Sequence, residues 1–131
     1  MTSHHCAAAD DAAIRNLIGL TALLGDTGAP EDYRRVYAPD ATWTMGSAVQ
    51  NGADEIVAAT AARRAEGTSG PGTGTRHVVI PAVIEIDGDT AKAMSHFVFL
   101  AGLEVRNAGS YRDTLVRTGD GWQIRVREVT A

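Results

Sequence analysis

The sequence changes character at Gly72-Thr73-Gly74-Thr75-Arg76-His77-Val78-Val79-Ile80, where a glycine-rich loop runs into an apolar strand. Before this stretch, apolar residues recur three and four positions apart, as on one face of a helix. From Thr75 onward the pattern becomes extended, with strands separated by glycine-containing turns. Helices followed by antiparallel strands predict an α+β fold in which helices pack on one sheet.

The histidine near the start of this strand is the first candidate functional residue. Imidazole has an unperturbed pKa near neutrality, so His77 in an apolar pocket could transfer protons. A hydrogen-bonded structural histidine is the alternative. The candidate partner is Asp26, which follows the first predicted helix in Gly25-Asp26-Thr27-Gly28. An ordinary turn residue is the alternative for Asp26.

Composition limits the classes of protein that the chain could belong to. With 131 residues, 44% of them apolar and 21% charged, one soluble domain is expected over residues 1–131. Twelve basic and sixteen acidic residues give a net charge of −4, which does not favour nucleic acid binding. No apolar run is long enough to span a membrane, and residues 1–6 lack the features of a signal peptide. We therefore expect a cytoplasmic protein.

Few residues could hold a metal or form a disulfide. Cys6 is the one cysteine, so an internal disulfide is excluded. His4 and His5 lie in residues 1–7, which we expect to form a flexible tail with at most weak metal affinity. We expect no cofactor and no metal site.

Helices and loops dominate the first half. The loop at 67–74 lacks the Lys-Ser/Thr ending of a phosphate-binding loop and leads into a strand, so we interpret it as a pocket rim. The predicted elements are a helix capped by Asp10 or Asp11 and ended by Gly25, a short helix over 30–37, a strand over 41–45 and a helix over 53–66. Strands are predicted over 75–86, 90–104, 110–117 and 122–129.

Asp87-Gly88 is a typical two-residue hairpin turn, and it sets a register for the strands around it. With these two residues in the turn, His77 lies opposite Val98 and His96 lies opposite Val79. The two histidines are then diagonal neighbours on one face of the sheet. A shift of one residue would place them on opposite faces. Two histidines without a third ligand make a poor zinc site.

Four short motifs occur in a characteristic order along the chain. They are Tyr37-Ala38-Pro39-Asp40-Ala41-Thr42-Trp43, Asn51-Gly52, Gly109-Ser110-Tyr111-Arg112-Asp113 and Gly121-Trp122-Gln123-Ile124-Arg125-Val126-Arg127. This order resembles the SnoaL-like branch of the nuclear-transport-factor-2-like (NTF2-like) superfamily over about residues 8 to 129. The resemblance implies a cone-shaped, cystatin-like fold, in which a curved antiparallel sheet surrounds about three helices and one deep pocket.

Within that superfamily, the chain is most similar to the scytalone dehydratase and hexachlorocyclohexane dehydrochlorinase group. Those enzymes pair an aspartate after the first helix with a histidine at the start of a strand, and Asp26 and His77 match these positions. The resemblance implies that Asp26 accepts the Nδ1 proton and leaves Nε2 as a base facing the pocket.

The chain also departs from this group. The dehydrochlorinase lysine falls at Thr21, and the dehydratase tyrosines fall at Gly25 and Met45. The second dehydratase histidine falls near Leu100. The group also has a C-terminal tail over the pocket, whereas this sequence ends at Ala131. The specific reactions of the group are therefore not transferred to this chain.

Other residues are candidates for the pocket wall, with ordinary core packing or a structural ion pair as the alternative for each. The resemblance places four of them, and the hairpin register adds His96. Asp113 is a possible partner for Arg127. Tyr33 and Tyr37 are interpreted as helix-packing residues. The candidate substrate-binding residues are Trp43, Met45, His96, Tyr111 and Arg127.

We expect a cofactor-free lyase or isomerase that acts on a hydrophobic, cyclic substrate through Asp26 and His77. A polyketide cyclase or epoxide hydrolase is one alternative, although Asp113 and Arg127 supply only part of the Asp-Arg-Asp set of the hydrolases. A non-catalytic ligand-binding or subunit-like module is the other.

Phe97 and Phe99 share a strand face with three small residues, opposite the face that carries His96. We interpret this apolar face as the outside of the sheet, and an exposed apolar face is typical of an interface. We therefore expect a homo-oligomer, a trimer or a dimer, that binds a small molecule but neither nucleic acid nor a membrane. The small residues are Ala91, Ala93 and Ser95.

Overall fold

Six strands and three helices form the part of the protein that the computed structural model describes, residues 6–131. His4 and His5 lie outside the described residues. The helices are α1 (Ala7–Thr27), a short 3₁₀ helix (Pro30–Arg35) and α2 (Ala53–Glu66). The strands are β1 (Tyr37–Met45), β2 (Ala48–Asn51), β3 (Thr75–Asp87), β4 (Thr90–Ala101), β5 (Glu104–Thr118) and β6 (Gly121–Thr130).

The strands form one curved sheet in the order β2-β1-β6-β5-β4-β3. Every neighbouring pair is antiparallel except β1 and β6, which are parallel. The predicted α+β class is confirmed, but the expectation of a purely antiparallel sheet is wrong for this one pair. β1 and β6 are far apart in the chain and no hairpin joins them, so a tight turn does not force this pair to be antiparallel. None of the helices within residues 6–131 is long and apolar enough to cross a membrane.

The helices pack against the concave face of the sheet and form its core. The core includes four fully buried side chains, which come from α1, the end of the 3₁₀ helix, β5 and β6: Ile14, Val36, Leu115 and Ile124. Burying one such side chain stabilises the fold by about 1.5–3 kcal/mol. A second, smaller cluster is formed by Phe97, Tyr111 and Val129. Trp43 and Val79 pack against both clusters, so the two are continuous.

The first helix is longer at both ends than predicted. It begins at Ala7, so Asp10 is not its cap, and it continues through Gly25 to Thr27. Asp10 is instead buried, where it accepts hydrogen bonds of 2.9 and 2.8 Å from Arg117 and one of 3.2 Å from Trp122 Nε1. The burial of the Asp10 carboxylate is therefore explained by its ion pair with Arg117, which is distant in the sequence, and not by helix capping.

Several strand boundaries also differ from the prediction. β1 begins at Tyr37, four residues early, and β2 was not predicted. β4 ends at Ala101, where Gly102 adopts a positive φ of 60° and starts a two-residue turn. β5 therefore begins at Glu104, six residues early. A Gly-Leu pair is a weaker turn signal than Asn-Gly or Asp-Gly, which is why the sequence did not reveal this turn.

The β3–β4 register is shifted relative to the prediction. Asp87 pairs with Thr90, so the turn residues are Gly88 and Asp89. The register shifts again between Ile80 and Val83, around Pro81, because proline has no backbone N–H for the strand ladder.

This register separates the two histidines that were predicted to be neighbours. His77 lies opposite Phe99, and His96 lies opposite Ile80. His96 is exposed on the convex face, where its Nδ1 lies 3.0 Å from Ser110 Oγ. The prediction that His96 lines the pocket is therefore wrong.

The same register reverses the expected faces of β4. Phe97 is buried on the concave side with Ala91, Ala93 and Ser95, so the surface proposed as an interface lies inside the protein. The convex side instead exposes a different apolar patch. Its members are 45% to 70% exposed and are Val78, Ile80, Val83 and Met94.

The homo-oligomer stays a prediction, but its expected interface on the Phe97 face is wrong, and we now assign the interface to this convex patch, with a second copy of the chain as the partner. Lys92 and Glu85 border the patch and could pair with their opposites across a two-fold axis. Light scattering should show an oligomer for the native protein and a monomer for Met94→Glu, because a carboxylate cannot be buried unpaired. Leu103→Glu, in the fully exposed β4–β5 turn, is the matched control. A monomeric native protein would contradict the prediction.

The buried Asp10 contact predicts an asymmetry between two adjacent aspartates. Asp10→Ala should lower the free energy of unfolding by about 1–3 kcal/mol, because Arg117 and Trp122 lose a shared buried acceptor. Asp11→Ala removes only an exposed pair with Arg15 and should cost below about 0.5 kcal/mol. Urea unfolding of both variants measures the difference, and equal losses would be the contrary result.

Candidate active site

Asp26 and His77 are in direct contact, as predicted. Asp26 lies in the last turn of α1, and His77 is the third residue of β3. Asp26 Oδ1 lies 2.7 Å from His77 Nδ1. Both carboxylate oxygens also accept the His77 backbone N–H, at 3.1 and 3.0 Å. One carboxylate thus fixes both the backbone and the ring of His77.

A carboxylate in the last turn of a helix is unfavourably placed, because the helix dipole is negative there. The two donors from His77 compensate for this. Arg64 of α2 supports the same helix end by donating hydrogen bonds to the carbonyl oxygens of Leu24 and Gly25, at 3.0 and 3.2 Å, and to that of Gly28. The aspartate therefore sits on a helix end that is anchored from another element.

Glycine is required at position 70, where the loop at 67–74 passes close to Arg64. Gly70 has a positive φ of 106°, and a Cβ atom added there would lie 2.1 Å from Arg64 Cδ. Any other residue would displace Arg64, because it would clash and would also strain the backbone.

The ring of His77 lines a cavity. Its side chain is 25% exposed, against 10% for Asp26, and it packs 4.5 Å from the ring of Phe99. Because an ionised carboxylate can only accept, Nδ1 is the donor in this contact, and in the neutral ring Nε2 is then the nitrogen with the free lone pair. Within the described residues, Nε2 forms no hydrogen bond.

A cavity of about 250 Å³ opens beside this histidine. Its wall is mostly apolar and aromatic, as in typical small-molecule sites. Four of the predicted wall residues line it, and these are Trp43, Met45, Tyr111 and Arg127. Phe97, Phe99 and Val129 complete this side of the wall. The loop at 67–74 contributes Thr68 and Ser69, in agreement with its interpretation as a rim.

Arg127 forms an ion pair with Asp113 behind the cavity wall. The two nitrogen–oxygen distances are 2.8 and 2.9 Å, and both side chains are almost fully buried. Burial alone would lower the pKa of Arg127, but the charge and hydrogen bonds of Asp113 raise it overall. The guanidinium also lies 3.9 Å from the ring centre of Tyr111. Arg127 is therefore a permanent cation whose charge is compensated.

Tyr33 and Tyr37 have a larger role than the predicted helix packing, because both line the cavity. A Cβ atom added to Gly25 would lie 2.6 Å from the Tyr33 hydroxyl and 3.6 Å from His77 Nδ1. The glycine thus gives the phenol room beside the histidine. Burial raises the pKa of Tyr33 and Tyr37, and that of Tyr111 to about 12, so all three hydroxyls stay protonated at neutral pH.

The helices contribute lining residues that were not among the candidate wall residues from the sequence. Thr21, Thr60 and Arg63 line the cavity from α1 and α2. The Thr21 hydroxyl donates to the Leu17 carbonyl at 2.7 Å, so it is held by its own helix. Each of these residues faces the sheet at a helical spacing, but a threonine or arginine on a helix carries no signal that separates a cavity from the surface.

Comparison with solved structures shows the same fold in several bacterial proteins. A protein of unknown function with a cystatin-like fold from Nostoc punctiforme aligns with a TM-score of 0.84 at 18% identity, covering 97% of this chain and 94% of that one. An NTF2-like protein from Novosphingobium aromaticivorans gives 0.77 at 27% identity, with 94% and 82% covered. A proposed scytalone dehydratase from the same organism gives 0.75 at 20%, with 93% and 83% covered.

The sequence comparisons identify the family. No curated protein matches the sequence. Residues 7–128 match the SnoaL-like domain, which is nearly the whole chain. The curved sheet, the enclosed helices and the cavity agree with this match. The chain belongs to the SnoaL-like family.

Proposed function

We propose that this protein is a cofactor-free lyase or isomerase that acts on a hydrophobic, cyclic substrate. The contact of 2.7 Å between Asp26 and His77 on the wall of an apolar cavity carries this proposal. A carboxylate that fixes the tautomer of a histidine is a common way to prepare a general base.

In this proposal, His77 Nε2 takes a proton from a substrate carbon that lies beside a carbonyl or a leaving group. The imidazolium that forms is stabilised by Asp26, which stays ionised. The electron pair of the broken C–H bond then expels the leaving group or moves into the carbonyl, which gives elimination or isomerisation. Asp26 acts as a positioning residue, since it contacts His77 and not the substrate.

The cavity also offers hydrogen-bond donors for negative charge that develops on the substrate. Protonated phenols of Tyr33, Tyr37 and Tyr111 line it together with His77. Donors that are fixed before the reaction stabilise a developing oxyanion better than water, which must reorient. These tyrosines stand in different positions from those of scytalone dehydratase.

The geometry gives less support to the epoxide hydrolase alternative. That chemistry needs a carboxylate that activates a water molecule, but the Asp113 side chain is fully buried and bound to Arg127. Asp26 is occupied by His77. Turnover that depends on His77 would support the enzyme. Its absence would support the non-catalytic ligand-binding or subunit-like alternative.

A Kemp elimination tests the base without knowledge of the natural substrate. The probe is 5-nitrobenzisoxazole, in which loss of the ring C–H proton breaks the N–O bond and gives a coloured cyanophenolate. His77→Ala should lower kcat/KM about 100-fold or more, because the base is removed. Asp26→Asn should lower kcat roughly 10- to 100-fold with little change in KM, because it disturbs the tautomer and not the binding. Absorbance at the phenolate band follows both rates.

His96→Ala is the matched control, because His96 lies on the convex face and should leave the rate unchanged. Circular dichroism of each variant checks that the fold is kept. An elimination rate equal in the native protein and His77→Ala would overturn the proposed base, and probe binding without turnover would favour the ligand-binding alternative.

A further inference from the structure

We propose that the cavity selects a small aromatic anion, and that Arg63 binds its negatively charged group. This inference deepens the proposed function, because it specifies the substrate class of the same cavity. It concerns binding rather than proton transfer, so it can be tested separately from His77.

Arg63 is a cation in the cavity wall without a carboxylate partner in the described part of the chain. It lies in the C-terminal part of α2, lines the cavity and is partly buried. The one hydrogen bond of its side chain goes to Thr60 Oγ1, at 3.2 Å. A guanidinium has five N–H donors, so most of them are left for a ligand.

Arg127, the other arginine that lines the cavity, is already neutralised, and the neighbouring Arg64 is outside the lining. Arg127 forms its buried pair with Asp113, and Arg64 donates to three carbonyl oxygens at the end of α1. Arg63 is thus the lining arginine with uncompensated charge. A partly buried, uncompensated cation attracts an anion more strongly than an exposed one, because water screens it less.

The charge of Arg63 acts inside the cavity. Burial raises the pKa of the Tyr33 hydroxyl, and the charge of Arg63 is the largest influence that opposes this rise. Arg63 therefore lies close enough to the buried phenol to stabilise negative charge there. A substrate anion in the same space would receive the same stabilisation.

The neighbours of Arg63 define the rest of the ligand. Its guanidinium carbon lies 6.0 Å from the ring centre of Trp43, within cation–π distance. Phe97 and Phe99 form an apolar surface on the sheet side of the same cavity. An aromatic ring would pack against these apolar side chains. A carboxylate or similar planar oxyanion on that ring would bind the Arg63 guanidinium through two parallel hydrogen bonds.

Calorimetric titration with 1-naphthoate and its neutral analogue 1-naphthamide tests this inference. The native protein should bind the carboxylate about tenfold more tightly than the amide, since the two differ in one charge-assisted contact. Arg63→Gln should remove most of this preference by weakening naphthoate binding and leaving naphthamide binding nearly unchanged. Arg63→Lys should keep part of the preference because it keeps the charge.

Arg76→Gln is the matched control, because Arg76 is exposed on β3 beside His77 and its removal changes the net charge equally. It should leave the preference intact. The inference is overturned if the native protein binds neither probe, binds both equally, or loses the preference equally in Arg63→Gln and Arg76→Gln. A preference that persists in a protein without His77-dependent elimination would overturn the proposed base but not the role of Arg63.

Discussion

The hydrogen bonds between Asp26 and His77 join the two halves of this fold at the point where its chemistry would take place. They connect the last turn of α1 to the first residues of β3, 51 positions later in the chain. The helix dipole disfavours a carboxylate at this place, and the local sequence offers no basic residue in the last turn of α1 to offset it. Arg64 anchors this helix end through its hydrogen bonds to backbone carbonyls, and Gly70 leaves room for the loop to pass Arg64. Residues that violate a local rule with support from distant elements are typical of functional sites.

The two arginines that line the cavity have opposite electrostatic environments. Arg127 lies against the ring of Tyr111 and forms a buried ion pair with Asp113, so its charge is compensated. Arg63 stands at the helix side without a carboxylate, next to Trp43. The two sides of the cavity therefore differ in polarity: the sheet side is apolar and aromatic, and the α2 side carries a cation. His77 and Tyr33 line the same cavity, and both lie close to Gly25.

The sequence predicted the fold class and the Asp26–His77 contact because both depend on motifs with a fixed order. It failed where one residue of register decides the outcome. The turn at Gly88-Asp89 instead of Asp87-Gly88 shifts the pairing by two residues, which alone would leave His77 and His96 on the same face. The further one-residue shift between Ile80 and Val83, around Pro81, places Phe97 on the concave face with His77 and leaves His96 on the convex face. Tyr33 and Arg63 were missed for a different reason, since only tertiary packing shows that their helix faces border a cavity. Local patterns cannot distinguish that border from ordinary core or surface.

Nitrogen NMR of the His77 ring tests the central claim most directly, because the tautomer is the property that the Asp26 contact is proposed to control. In protein with nitrogen-15 in its histidines, the long-range proton–nitrogen spectrum above the titration range should show Nδ1 protonated and Nε2 bare. The Asp26→Asn variant should shift this ring toward the Nε2-protonated form or toward a mixture, and the His96 signals should stay unchanged. A native His77 already protonated at Nε2, or a tautomer that does not respond to Asp26→Asn, would contradict the claim that Asp26 prepares this histidine as a base.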